Sequence, residues 1–260
     1  MKRLLLVFSF IVLCFGGTSA AAAQDLVVGV NPFPHKDIML VIKAEMANEG
    51  YNLIIKEFSD YVLPNMALAE GELFANFFQH IPYLENMNRQ KDLKLVWIAK
   101  VHIEPLGLYS KKIKNLDELK AGDLVAVPND PTNGARALRL LEANGLITLK
   151  EGELVTARDI TANPRELRFK EIDAAQLPRS LGDVTAAVIN ANFAGQANLN
   201  PAKDALIVEK GDSPYANVVV VRAADKDSPA ALALQKAANA PAVKAMIENS
   251  LAPKGILPAF

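Results

Sequence analysis

Leu124-Val125-Ala126-Val127-Pro128-Asn129-Asp130-Pro131-Thr132-Asn133-Gly134-Ala135-Arg136, with its continuation to Leu149, decides the fold. Leu124 to Val127 reads as a short buried strand, and Pro128 ends it. Asp130-Pro131 supplies an N-cap followed by proline at the first helical position, and Gly145 closes the helix. A strand that feeds straight into a helix is half of an α/β unit. The first turn of such a helix points unpaired N–H groups and the positive end of the helix dipole at whatever sits above the strand. Thr132 and Arg136, four residues apart, share one face there. A guanidinium can grip a carboxylate through two parallel hydrogen bonds, so the ligand suggested is a small carboxylate held by Arg136. The competing reading is a solvated arginine on a surface helix.

The same alternation extends outward. Leu26 to Val30 is an apolar run bounded by Asp25 and Asn31-Pro32, the mark of a buried strand. Ile38, Val41, Ile42, Glu45 and Met46 then recur at helical spacing until Gly50. Leu53 to Ile55 is a second strand, Val62 to Glu70 is helical, and a further helix begins near Gln79 and ends within Glu85 to Gln90. Strand alternating with helix implies mainly parallel sheets covered by helices. Val101 to Ser110 is mostly extended and precedes a new α/β series that starts at Leu124. Asn217 to Arg222 is another extended run, followed by an alanine-rich helical region. The chain leaves one lobe and returns, so two extended segments join two α/β lobes: 24–106 with 219–260, and 107–218. No internal repeat is visible.

Lys2-Arg3, the apolar run Leu4 to Phe15 and the small residues Gly16 to Ala23 together form a secretory signal peptide at 1–23, with Ala21-Ala22-Ala23 as the cleavage site before Gln24. The mature chain is therefore expected to be exported. Cys14 lies inside the apolar run and is read as part of the signal. It is the chain's single cysteine, which excludes disulfides, thiol catalysis and cysteine-ligated metals from the mature protein. Removing 23 residues discards Lys2 and Arg3 and no acid, moving the formal charge from −1 to −3. Nothing in that balance suggests nucleic acid or an anionic membrane surface.

Several stretches taken in order carry a resemblance. They are Asn76-Phe77-Phe78-Gln79-His80-Ile81-Pro82-Tyr83-Leu84, His102-Ile103-Glu104-Pro105-Leu106-Gly107-Leu108-Tyr109-Ser110, Pro128 to Leu138, Asn163-Pro164 and Gln176-Leu177-Pro178-Arg179, followed by Val188-Ile189-Asn190-Ala191-Asn192-Phe193-Ala194 and Pro214-Tyr215-Ala216-Asn217. Together they resemble the methionine-binding (NlpA-type) substrate-binding proteins of ABC importers over nearly the whole mature chain. The resemblance implies an α/β, two-lobed periplasmic binding protein, type II-like, with the ligand in the cleft between lobes. It also implies the periplasm as location, a membrane ABC importer permease as partner, no cofactor, and a monomer. Members of that family are usually lipoproteins anchored through a cysteine at the cleavage site. Leu13 stands before Cys14 where such a site wants a small residue, so anchorage through Cys14 is kept as the alternative.

Each candidate site residue has a structural reading beside the functional one. Phe77 and Phe78 read as core, while the resemblance makes Phe78, His80 and Tyr83 walls for a thioether side chain, joined by His102 from the first crossover. A histidine within a hinge is the plainer reading of His102. Asn190 ends the run Ala186 to Ile189, and Asn217 precedes Val218 to Val221. Asparagine there serves turns, yet its carbonyl also suits a buried ammonium without burying a second full charge. The resemblance assigns Asn217 to the ligand's amino group, with Asn190 or Asn192 beside it. Two departures stand out, Phe74 for an acidic residue at the expected pocket rim and Phe193 for the tyrosine of an Asn-x-Asn-Tyr-Ala motif.

His35, His80 and His102 never fall in H-x-x-x-H or H-x-H spacing, so no metal site is expected. His102-Ile103-Glu104 matches the H-x-E of zinc deaminases without the P-C-x-x-C that must accompany it. The G-x-S-x-G, Walker and G-x-G-x-x-G patterns are all missing. A binding protein that catalyses nothing is the resulting expectation, with methionine as ligand. D-methionine, another apolar amino acid and a methionine-containing short peptide are its alternatives within the class. A secreted enzyme on the same scaffold and a surface interaction protein are the alternatives outside it.

Overall fold

The computed structural model describes residues 23–210 and 214–260, so the signal-peptide reading lies outside the described residues except for Ala23. Two mixed sheets organise the chain. In chain order the first receives β1 (Gln24–Val30), β2 (Tyr51–Glu57), β3 (Ala75–His80) and β4 (Leu95–Ile103). Helices α1 (His35–Asn48), α2 (Leu63–Ala69) and α3 (Ile81–Lys91) connect them. Ile38, Met39, Ile42 and Met46 repeat at three- and four-residue intervals on α1, and all four are buried in the core of this lobe.

The second sheet takes β5 (Gly107–Tyr109), β6 (Leu124–Pro128), then β9 (Arg168–Ile172), which follows the small hairpin β7 (Thr148–Leu149) and β8 (Ile160–Ala162). Helix α4 (Pro131–Ala143) follows β6, and the αL turn at Gly145 ends the helical region. The short α5 (Leu177–Ser180) leads into β10 (Ala186–Ile189), α6 (Ala191–Gln196), α7 (Pro201–Asp204) and β11 (Ile207–Val208). The chain then returns through β12 (Ala216–Arg222) to the first sheet and closes with α8 (Pro229–Ala238), α9 (Pro241–Met246) and β13 (Leu257–Pro258).

The orders are β13-β4-β12-β3-β1-β2 and β11-β5-β10-β6-β9. Strands laid down by strand–helix alternation pair in parallel, β1 with β2 and β3, and β6 with β9 and β10. The strands that arrive from the other lobe, β12 and β5, run antiparallel to both neighbours. Each sheet thus reads second, first, third, incoming, fourth strand of its lobe, and β13 adds a sixth strand at the edge of the first sheet. The lobes share this plan although the sequence shows no repeat, because only the buried-strand pattern, and not residue identity, is needed to specify it. Val218 to Val221 are fully buried, as expected of a strand covered on both faces. The expected division at 106/107 falls between β4 and β5, and that at 218/219 falls within β12. Gln79 and His80 belong to β3, with α3 starting at Ile81, because His80 is extended and N-caps the helix.

Candidate functional site

The carboxyl ends of the central strands converge where the lobes meet. β3 ends in Phe78-Gln79-His80, and Asn217 of β12 lies in register with His80 on one side and His102 on the other. From the second lobe, β10 ends at Ile189 and Asn190 is the N-cap position of α6, while α4 brings Asn133 and Arg136. These groups enclose a small cavity where the two lobes meet.

One end of the cavity is aromatic. The Tyr61 ring lies 6.0 Å from Phe78 and 5.8 Å from Tyr83, and Tyr83 Oη donates to the Tyr61 carbonyl at 3.0 Å. Phe77 turns the other way into the lobe core, so adjacent phenylalanines divide between core and cavity as strand alternation requires. Phe193 backs the cage with its ring 5.0 Å from Tyr61. His80 Nδ1 accepts the Tyr83 N–H at 3.2 Å, which leaves the proton on Nε2 to be donated to Asn133 Oδ1 at 3.1 Å. Burial, reinforced by the Arg136 charge, lowers the His80 pKa to about 3, so its imidazole is neutral.

The other end is polar. Asn190 Nδ2 donates to Asn133 Oδ1 at 2.8 Å, and Asn190 Oδ1 is buried without a hydrogen-bond partner among the described residues. Glu104 borders the cavity and accepts the Asn192 backbone N–H at 3.1 Å. Burial raises its pKa, and His35 and Arg136 oppose that shift. Arg136 is buried, with its guanidinium 4.1 Å above the Tyr215 ring. Its Nε donates to Glu209 Oε1 at 3.0 Å, and Nη2 donates both to the other Glu209 oxygen and to the Glu104 carbonyl, the latter at 2.7 Å.

Three expectations meet a different geometry. The start of α4 does not offer open N–H groups to an anion, because Asp130 caps it with its own carboxylate, taking the Asn133 N–H at 2.9 Å and the Thr132 hydroxyl at 3.0 Å. Thr132 is therefore spent on the cap. His102 does not line the cavity; it is buried behind Glu104, with Nε2 2.7 Å from Oε1. Phe74 packs against the lobe core and not on a pocket rim. His35, far from His102 in sequence, joins it at Glu104.

Phe78, His80, Tyr83, Arg136, Asn190 and Asn217 all line the cavity, with Asn192 beside them. Tyr61, Glu104 and Asn133 are cavity residues that sequence reasoning missed. Asn133 was within reach, since it lies three residues before Arg136 on the same helical face. Tyr61 lies in a turn with no periodicity to mark it. Glu104 carries a signal, an acid within an apolar extended run, but its spacing matches only an incomplete zinc motif.

A cleft between two α/β lobes, with a guanidinium, buried amide groups and an aromatic cage around one small cavity, defines a periplasmic-type substrate-binding protein. Residues 26–260 match the NlpA lipoprotein family, and the chain belongs to it. It is 50% identical over 193 residues to the D-methionine-binding lipoprotein MetQ of Salmonella typhi, covering 72% of this chain and 71% of that protein. Among solved structures, a nutrient-binding protein of Burkholderia cenocepacia bound to methionine superposes with a TM-score of 0.87 at 45% identity, over 90% of this chain and all of that one. A periplasmic substrate-binding protein of an ABC transporter from Coxiella burnetii does so with a TM-score of 0.86 at 47% identity, over the same shares. No helix among the described residues is long and apolar enough to cross a membrane.

Proposed function

We propose that this protein captures methionine outside the cytoplasm and presents it to a membrane ABC importer, without catalysing a reaction. The observation that carries the reading is the set of groups that line the cavity: a guanidinium, the Asn190 and Asn217 amides with the Glu104 carboxyl, and an aromatic cage. An amino acid has that charge pattern. The Nη1 end of Arg136 is the part of the guanidinium left for the ligand carboxylate, with Nε and Nη2 engaged by Glu209 and the Glu104 carbonyl. Asn217 and Asn190 accept from the ammonium, helped by Glu104, and the thioether packs against Phe78, Tyr83, Tyr61 and the neutral His80 ring. His102 supports this wall from behind. The protein works as a monomer, exported by a signal peptide cleaved near Ala23, with lipid anchorage at Cys14 as the alternative.

The test is mass spectrometry of the small molecule released by denaturing the purified protein, followed by calorimetry of the refolded protein with L- and D-methionine. A stoichiometric amino acid and saturable binding are expected, and the two enantiomers rank the stereochemical preference. An empty cavity that binds neither enantiomer would sink the reading. Intact mass of the exported protein separates a chain starting at Gln24 from one lipidated at Cys14.

A further inference from the structure

Behind the cavity wall lies a set of ionisable groups that the binding reading leaves unused. His35, the first residue of α1, and His102 of β4 are buried side by side with ring centroids 5.0 Å apart, and both pack edge-on to Phe77. Both aim Nε2 at one atom: Glu104 Oε1 is 2.7 Å from His102 and 3.3 Å from His35. The same His35 nitrogen is 3.1 Å from Asn217 Oδ1. One imidazole N–H therefore lies between acceptors of two residues that line the cavity.

By residue type these three side chains could hold a metal ion. The distances argue otherwise: two ligand atoms each about 2.0 Å from a tetrahedral ion stand roughly 3.3 Å apart, whereas 2.7 Å between His102 and Glu104 is a hydrogen bond. With Nε2 donating in each ring, Nδ1 is the unprotonated nitrogen. Both Nδ1 atoms are buried; that of His102 has no hydrogen-bond partner among the described residues, so a second proton there would be stranded, and on His35 only the Phe33 backbone favours one, against the larger cost of burial. Burial accordingly lowers the pKa of His35 to about 4 and of His102 to about 3. Each ring gives Glu104 a donor and no charge.

We propose that His35 and His102 are positioning residues for amine recognition: as neutral donors they fix the Glu104 carboxylate at the cavity wall, and His35 ties it to Asn217. This rests on the function proposed above. A lysine or arginine in their place would hold the carboxylate equally well but cancel its charge before the ligand arrived. The other groups facing Glu104 agree with the assignment. Arg136 reaches its backbone carbonyl, leaving the carboxylate to the histidines and the Asn192 N–H, and Tyr61 is neutral because burial raises its pKa.

The experiment compares methionine with 4-(methylthio)butanoate, the same molecule without the amine, by calorimetry on full-length protein. His102→Phe keeps ring bulk and removes the donor, and His102→Gln and His35→Gln keep a neutral donor. His102→Phe is expected to weaken methionine by roughly tenfold or more, the worth of a hydrogen bond to a charged group, while leaving 4-(methylthio)butanoate close to its wild-type affinity. His102→Gln recovers part of the loss. Methionine affinity of His102→Phe should fall more steeply than that of wild type as pH is lowered, because a carboxylate that loses a donor takes up its proton earlier. Equal losses for both ligands, or an unchanged pH profile, would show a merely structural role and overturn the proposal. Where His102→Phe does not fold, the two glutamine variants decide: methionine binding within threefold of wild type supports it, and equal losses for both ligands overturn it. Wild-type protein that binds neither ligand would fail the function reading instead.

Discussion

Arg136 both pairs with Glu209 and lines the cavity, and that double placement shapes what its removal does. Under the proposed function, Arg136→Ala withdraws the partner of the ligand carboxylate, and it also leaves Glu209 without its ion pair. We expect methionine affinity to fall by about 2 to 5 kcal/mol, or roughly 30- to several-thousand-fold, as read by calorimetry on refolded protein. Arg136→Lys recovers only part, since an ammonium cannot serve Glu209, the Glu104 carbonyl and a ligand in the planar arrangement a guanidinium allows. Arg139→Ala is the control. Arg139 is bonded to Glu142 and to the Lys150 and Gly152 carbonyls, so binding should stay near wild type. Binding abolished by Arg139→Ala and kept by Arg136→Ala would place the site on the wrong arginine. At this scale the sequence was legible for placement at the cavity, as for Arg136 and the asparagines at strand ends. It was misleading for His102, whose direction depends on which side of β4 faces the cleft, and silent for Tyr61, which reaches the cavity only through the fold.

Among the elements, α6 joins α4 in bringing the second lobe against the first. Asn192 accepts the Tyr61 hydroxyl at 2.7 Å, and Gly195, three residues on, lies against the Phe33 ring so closely that a β-carbon there would be 2.4 Å from a ring carbon. Gly195→Leu should therefore hold the lobes apart, with a larger radius of gyration by X-ray scattering and weaker ligand binding, and Phe33→Ala in the same chain should relieve both. An unchanged radius with unchanged affinity would show that the ring simply moves aside. A second element-scale device is the buried amide cluster that locks α2 to β3: Asn65 exchanges hydrogen bonds with Gln79 at 2.7 and 2.8 Å and accepts one from Asn76 at 2.8 Å. Asn65→Ala should cost about 1 to 3 kcal/mol in denaturant unfolding, because the partners stay buried and lose their bonds. The alternation of strands and helices was readable from hydrophobic period and from the Asp130-Pro131 cap. The amide cluster was not, since Asn and Gln in isolation signal turns or surface as readily as a buried network.

For the whole molecule, ligand and proton binding both appear as stability. Methionine at about 1,000 times its dissociation constant should add roughly 4 kcal/mol and raise the thermal midpoint, and a melting curve unmoved by saturating ligand would count against the proposed function. The three buried histidines set the pH response. His35, His80 and His102 have pKa values lowered to about 4, 3 and 3, against about 6.5 in the unfolded chain. Below about pH 6.5 the unfolded state binds protons that the native state refuses, so stability falls as pH drops toward 4, by up to about 1.4 kcal/mol per pH unit for each histidine. Glu104, with its pKa raised, works the other way and offsets part of the loss. Denaturant midpoints measured from pH 7 to pH 5 should decline, and a flat profile would mean that the rings are protonated in the native state.

The incoming strands carry a further consequence, for the order in which an exported chain can finish folding. β12 sits between β3 and β4 in the first sheet, yet it is made after every strand of the second. A chain emerging from its amino end therefore holds the N-terminal sheet open at its centre until residue 222 is out, while the later-starting lobe has all five of its strands once residue 208 has passed. The lobe that begins second is complete first, and the valine-rich slot waiting for Val218 to Val221 is the surface that most needs shelter from other chains in the interval.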